Sequence, residues 1–397
     1  MNHSQAPLAG IKVLDFSTLL PGPYATMLLA DMGADVLRIE SPTRADMLKE
    51  MTPKFDQRSY AHLTINRNKR SIALDLKHPD SKAIIKKLIA QADVVIEQFR
   101  PGVMQRLGLD YPSLKSINSR LIYCSITGYG QTGPFKDRAG HDINFLALSG
   151  LASYSGKTNT GPVLSGTQIA DIAGGSHHAV MGILAAIIQR GVSGVGQLLD
   201  ISMSDCALAL NTMYGATALA SGENPTCGKE LLNGGIFYDY YRTQDDRFIS
   251  VGGLEPQFAK AFFDSIGQPG WLNRAAEPPG KQQALKDDIS QIIASKSLEQ
   301  WRDFFSNLDV CVEPVLTINE ASKHPHFIAR KMIVDISIDK NKVINQIASP
   351  IKFNSPAITN RVGVQLGANS KEVLLEQGFS ISEIEQLIAS NVVYQMN

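Results

Sequence analysis

Short apolar runs alternate with amphipathic stretches through the first two hundred positions. IKVLDFS, ADVLRIE, SIALDL, DVVIEQF, RLIYCSI and GQLLDISM are continuous apolar segments, the pattern of strands buried on both faces. Between them, PYATMLLADMGA predicts a helix with Pro23 near its start and Gly33 near its end. HPDSKAIIKKLIAQA sets Ile84, Ile85 and Leu88 on one helical face. GTQIADIAGGSHHAVMGILAAIIQR predicts a long helix, apolar nearly all round past Ala179 and therefore expected to be buried. Such alternation predicts an α/β fold, a Rossmann-like large domain whose parallel sheet is covered on both faces. Ligands then bind at the carboxyl ends of the strands.

Near Ser221 the pattern changes. SGENPTCGKELLNGG is polar and Gly-rich, as a hinge would be. FYDYYRTQDDRFISVGG predicts a hairpin around Gln244–Asp246, and helical patterns continue to about Leu308. This predicts a smaller α+β domain over 221–327, after a first part over 1–220. From about Ile328 short strands resume, and SISEIEQLIASN predicts a terminal helix started by Ser380 or Ser382.

Bulk properties narrow the function. The 397 residues are 44% hydrophobic and 19% charged, enough for a large core and roughly two domains. Lys+Arg 38 balances Asp+Glu 38, so no global field favours nucleic acid or an anionic membrane. MNHSQAPLAG lacks the charged-then-apolar pattern of a secretory signal, and VVYQMN is not a peroxisomal address. The longest apolar run, AVMGILAAII, is too short to span a bilayer. Cys124, Cys206, Cys227 and Cys311 have no metal or redox spacing and are expected to be reduced core thiols of a cytoplasmic protein.

The candidate chemistry lies in two short Gly-flanked segments, GHDINFLALSG from Gly140 and ADIAGG from Ala170. They carry His141 and Asp171, an imidazole and a carboxylate that could remove and return a proton on a carbon acid. Gly174 and Gly175 beside Asp171 suit a closely apposed ligand, although an Asp in a first turn also serves simply to complement the helix dipole. Glu255, in VGGLEPQF, comes after another Gly pair. GYGQTG, Gly128 to Gly133, matches a dinucleotide-binding pattern, but the FKDRAG after Pro134 does not open a helix. A Gly-rich turn shaping a cleft is the better reading. His177-His178 and the pair His324 and His326 lack ligand-spaced Cys, Asp or Glu, so no metal site is expected. A helix surface or subunit contact explains His177-His178.

In order along the chain, DFSTLLPGPYATMLLADMGADVLRIE, NKRSIALDLK, EQFRPGVMQRLGLD, RLIYCSITGYGQTGP, AGHDINFLALSG, ADIAGG and VGGLEPQF resemble the class III CoA-transferase superfamily, the CaiB/BaiF type. The likeness spans nearly the whole chain and is strongest to its α-methylacyl-CoA racemase branch. The resemblance implies that His141 and Asp171 are the two bases, His141 serving the S epimer and Asp171 the R epimer. It also implies that Glu255 pairs with the His and that Arg100 of the FRPG turn lies near the site. By the same likeness Leu74, Asp75, Lys77 and Arg106 line CoA, as do Asp142 and Asn144 of GHDIN. Where the family often covers adenine with an Arg, this chain has Ser41, so Arg38 or Arg44 is expected to substitute. Phe145 stands where many racemases have Tyr.

An interlocked homodimer is implied too, with 328–397 returning to the large domain and each site shared between chains. CoA is then part of the substrate, and no separate cofactor is expected. The implied reaction is interconversion of R and S 2-methylacyl-CoA thioesters by 1,1-proton transfer through an enolate. Backbone N–H groups near His141 and Asp142 would hold the enolate oxygen. The rival is a class III CoA-transferase in which Asp171 is the nucleophile. A CoA-binding scaffold without activity is disfavoured because both bases are present.

Overall fold

The computed structural model describes residues 6–44, 46–55, 57–354 and 358–395. Its chain divides into two compact units. One comprises Met1–Leu146, Thr167–Ala209 and Ala329–Asn397; the other comprises Ala147–Gly166 and Leu210–Ile328. The sequence pattern places 147–166 and 210–220 in the first unit. They pack in the second, where Asn211 donates to Ser149 O, the Tyr154 hydroxyl donates to Asn211 Oδ1, and Asn233 donates to Tyr154 O.

The first unit is built on β1 (Lys12–Asp15), β2 (Asp35–Glu40), β3 (Arg70–Leu74), β4 (Val94–Glu97), β5 (Ile122–Thr127) and β6 (Leu198–Ser202). Their order in the sheet is β6-β5-β4-β1-β2-β3, all parallel, and an antiparallel strand, Val393–Tyr394, closes the edge beside β3. This is the doubly wound order, in which the direction of strand addition reverses between β1 and β4. The register explains the apolar runs. Val13, Val36 and Val94 face one core and Leu14, Leu37 and Val95 the other, so the central strands are buried on both faces, whereas the edge strand β6, read as a buried run, leaves Leu198 exposed.

α1 (Pro21–Asp31) starts with Pro at its first position, and α2 (Ser81–Gln91) buries Ile84, Ile85, Leu88 and Ile89, as their spacing predicts. α3 (Asp142–Leu148) comes after the loop that leaves β5. The long helix is two things: a π-helical turn, Ala170–Ser176, and then α4 (His177–Ser193). Taken together, Ala170–Ser193 is long and apolar enough to cross a membrane, longer than the sequence run suggested. It packs on the sheet through Ala179, Val180, Ile183 and Ala186, and Arg190 pairs with Asp93. The expectation of all-round burial fails: Met181, Ile188 and Val192 are exposed, Val192 by 90%. The sheet covers only one side of a helix, so apolarity on the other side calls for a different partner. α5 (Met203–Ala209) comes directly after β6.

The second unit holds an antiparallel sheet, β7 (Asp239–Arg242), β8 (Phe248–Val251) and β9 (Val312–Pro314). α6 (Pro256–Ser265), α7 (Gln283–Ile293) and α8 (Leu298–Phe305) pack on it around Phe262, Phe263 and Trp301. Ser297 and Gln300 form a capping box at α8, worth about 1 kcal/mol. The terminal helix Ile381–Ala389 is capped by Ser380, not Ser382. Of the cysteines, Cys124 is buried, Cys206 and Cys227 are half-buried, and Cys311 is exposed, against the expectation of four core thiols.

Candidate active site

A cavity of about 410 Å³ opens at the carboxyl ends of the strands, where the sheet order reverses. Five chain segments build its wall. Leu19, Leu20 and Pro21 come after β1, and Gln98, Phe99, Arg100 and Pro101 after β4. The longest stretch comes after β5, from Gly128 and Tyr129 through Lys136 and Arg138 to His141, Asn144 and Phe145. Asp171 and Met203 complete it. His141 and Asp171, thirty positions apart in sequence, therefore share one cavity. A smaller cavity of about 240 Å³ lies at the amino ends of the strands, where Arg70 is paired with Asp35 and Glu376.

His141 is exposed and precedes α3. Its N–H donates to Asn144 Oδ1 at 3.0 Å, and its carbonyl accepts from Asn144 N at 2.8 Å. Asn144 is thus a clamp on the backbone of His141. This overturns one expectation, because the His141 N–H is already taken and cannot hold an enolate oxygen. The Asp142 N–H, in the first turn of α3, remains for that task, since first-turn amides have no partner within the helix. The Asp142 side chain points inward, 7% exposed, and its Oδ1 accepts the Asp171 N–H at 3.0 Å. Asp142 thus joins the segments that carry His141 and Asp171.

Asp171 sits in the π-helical turn and is half-buried. Ser176 Oγ lies 3.0 Å from its carbonyl oxygen and 2.7 Å from Pro21 O. Burial first, and then the charge of Asp142, push the Asp171 carboxyl up to about 6, against the pull of His141. Such a group changes protonation close to neutrality, as a proton-transfer catalyst needs. Gly174 and Gly175 are not a ligand-facing surface. A Cβ at Gly175 would stand 3.0 Å from Met203 Cγ, and one at Gly174 3.4 Å from Cys206 Cβ. Both glycines let the π-turn press against α5.

Phe145 is buried, its ring wedged under Gly128 and Gly140, with Tyr129 edge-on at 5.2 Å. Tyr129 places its hydroxyl beside Gly140, 2.7 Å from where a Cβ would stand, so a phenol remains near His141 although position 145 has none. Phe135 packs on Tyr129, and Arg138 stacks over Phe135 at 4.5 Å. The GYGQTGPFKDRAG stretch is indeed a loop of turns that shapes the cleft. Its Gln131 N–H donates to Asp200, so an internal carboxylate already caps the loop where a pyrophosphate would need amides.

The loop after β1 is fixed from below. Asp15, 1% exposed, accepts from Ser17 N and from Thr26 Oγ1, and the buried Lys69 lies 3.6 Å away and donates to Pro23 O at 2.7 Å. Leu19 has φ +61°, a strained value for this residue, and its N–H is held by Asp46 Oδ1 at 3.2 Å. Glu97, buried at the end of β4, accepts the Phe99 N–H at 2.8 Å beside the Arg100 turn. Burial pushes its carboxyl up to about 7.

Arg38 does not bind adenine here. It is 2% exposed and paired with Glu40 at 3.1 Å and Asp46 at 3.0 Å, so its guanidinium belongs to the support under Leu19. Leu74 is wholly buried in the core, so its side chain cannot line a ligand. Asp75 caps the Lys77 N–H at 3.0 Å, and Lys77 is exposed. Arg106 is exposed and folds back toward Gly102. Neither Lys77 nor Arg106 is among the described residues lining this cavity, whereas Arg100 is. Glu255 is exposed at the N-cap of α6, in the second unit. Sequence reasoning missed Lys136, Arg138, Tyr129, Gln98 and the Leu19–Pro21 loop. The usable signal was position: each lies in a segment that leaves a strand at the switch point.

Comparison with known proteins fits this geometry. The model of CoA-transferase family III matches residues 8–368. The chain is 34% identical to human alpha-methylacyl-CoA racemase over 394 residues, 97% of each chain. It is also 34% identical to the succinate–glutarate CoA-transferase of Agrobacterium fabrum over 391 residues, covering 95% of this chain and 97% of that one. A crystal structure of a CaiB/BaiF family protein from Brucella suis superimposes with a TM-score of 0.82 at 27% identity, covering 94% of this chain and all of that one. A doubly wound sheet, a cleft at its switch point and matches of this length lead to one conclusion: the chain is an enzyme of CoA-transferase family III.

Proposed function

We propose that the enzyme interconverts the R and S epimers of a 2-methylacyl-CoA thioester. The observation that carries this reading is the meeting of His141 and Asp171 on one cavity, with the carboxyl of Asp171 raised to about 6. A thioester acidifies its α-carbon. Asp171 takes the α-proton of the R epimer, and His141 that of the S epimer. The planar enolate left behind receives a proton from the other group. Each transfer contributes about 10²–10⁴-fold. The Asp142 N–H supplies a hydrogen bond to the enolate oxygen. Arg100, Lys136 and Arg138 have no carboxylate partner among the described residues, and such cations suit the phosphates of CoA. Glu255 is assigned the role of steadying His141, contributed by a second copy in an interlocked homodimer. Exposed Met181, Ile188 and Val192 on α4 and Leu198 on the edge strand support a face that packs on another copy. Four unpaired cysteines support a reducing, cytoplasmic setting.

A second reading has its own support, since a transferase and a racemase match this chain equally well. There Asp171 attacks the thioester carbonyl and becomes an anhydride, then an aspartyl-CoA thioester. Incubating 2-methylacyl-CoA with the enzyme in deuterated water separates the two. A racemase incorporates α-deuterium without any acceptor acid. Absence of exchange, with CoA moving to an added carboxylic acid, would overturn the proposal in favour of the transferase.

A further inference from the structure

His178 stands where α4 begins, seven residues after Asp171. Its Nδ1 lies 3.0 Å from Ala173 O and 2.7 Å from Gly174 O. Carbonyl oxygens only accept, so Nδ1 carries a proton and donates to both. Their place in the helix matters. Across the π-turn the amides bond five residues back, as His177 N does to Ile172 O; α4 then returns to four. Where the spacing changes, two successive carbonyls compete for one amide, and a half-buried carbonyl left without a donor is destabilising. The imidazole of His178 supplies the missing donor. It can fold back onto its own helix because Gly174 and Gly175 carry no side chains, and both are buried against α5.

We propose that His178 is a positioning residue that holds the π-turn open and so sets the place of Asp171. The inference rests on the reading of Asp171 as the reacting carboxylate. The backbone of Asp171 is pinned on either side, its N–H by Asp142 and its carbonyl by Ser176. His178 pins two further carbonyls along the same turn. If the turn relaxes to α-helical spacing, every residue before it rotates by about 100° relative to α4, and Asp171 leaves the cavity wall. His141 precedes α3, where Asn144 clamps its backbone, so it feels such a change only through the Asp142–Asp171 contact. The loss should therefore fall on one half of the reaction.

The test compares His178→Leu, which keeps bulk and removes the donor, with His178→Asn, which places an N–H donor at the same point on the side chain. α-Deuterium exchange is measured separately for each epimer. Expected for His178→Leu is a loss of about ten-fold in exchange of the R epimer, the one Asp171 serves, with KM little changed and the S epimer within about two-fold. His178→Asn should recover most of the R-epimer rate. Equal losses for both epimers, or no loss, or no rescue by Asn, overturn the assignment. If wild type shows no α-exchange, the racemase reading fails instead. The same three chains are then compared in CoA transfer, where an about ten-fold slower His178→Leu restored by Asn supports the positioning role and equal rates overturn it.

Discussion

His141 and Asp171 face the same cavity but are held in different ways. His141 is exposed, at the end of a loop of turns, with its backbone clamped by Asn144 from within the adjoining helix start. Asp171 is half-buried in a π-turn whose surroundings come largely from other parts of the chain: Asp142 holds its N–H, Ser176 of the same turn bridges it to Pro21 O, and α5 packs behind. The difference has an electrostatic consequence. Burial beside a second carboxylate raises Asp171 to about 6, out of the ordinary carboxyl range. A carboxylate must be lifted toward neutrality to exchange protons with a carbon acid, and the protein does this by packing. His141, by contrast, is left in the open.

The largest effect should come from removing either group. Asp171→Asn and His141→Gln should each lower the racemisation rate by about 10³-fold, measured by chiral separation of the acyl products. A loss below about ten-fold in one of them would show that the cavity has a single essential base.

The next effect contrasts the supports. At Gly140 an added Cβ would come within 2.7 Å of both the Phe145 ring and the Tyr129 hydroxyl, whereas at Gly175 its nearest contact is the flexible Met203 at 3.0 Å. Gly140→Ala should cost about 2–3 kcal/mol in thermal or denaturant unfolding, and Gly175→Ala closer to about 1 kcal/mol. The reverse order would mean that the His141 loop, not the π-turn, is the adaptable side.

A smaller effect reads the charge of Asp142. Activity with the R epimer should fall as pH drops through about 6, where Asp171 takes up a proton and stops acting as a base. Asp142→Asn keeps an oxygen for the Asp171 N–H but removes a negative charge that raises the Asp171 pKa. The acid limb of the pH–rate profile should therefore move to lower pH. An unmoved limb, or one moved upward, would assign it to another group.

The smallest effect concerns the loop cations. Lys136→Gln and Arg138→Gln should each raise KM for the CoA thioester about three- to ten-fold, with less change in kcat, since phosphates lie far from the reacting carbon. A loss confined to kcat would contradict a role in holding CoA.

The sheet was legible because a strand buried on both faces is apolar throughout, and DVVIEQF or RLIYCSI leaves little choice. His141 and Asp171 were singled out by their Gly-flanked segments and by the family likeness, and both line one cavity. What sequence could not display was direction. Arg38 and Lys77 are both basic residues near strand ends, yet one is enclosed by Glu40 and Asp46 and the other is in solvent. Which strand end bends inward depends on the sheet's twist and on the Asp15–Lys69 contact across it. The π-turn was equally hidden, because periodicity cannot register one extra residue per turn in a segment only seven residues long. The glycines beside Asp171 invited a reading as a ligand surface, and only packing shows that α5 occupies that side.

The central claim is that two groups act from two sides of one enolate, and epimer-resolved α-deuterium exchange by the single-base variants tests it most directly. Asp171→Asn should exchange the S epimer slowly with retention, through His141, and leave the R epimer unexchanged. His141→Gln should show the mirror preference. If either variant exchanges both epimers at equal rates, one mobile base or a water does the work, and the two-base account of this cavity is wrong.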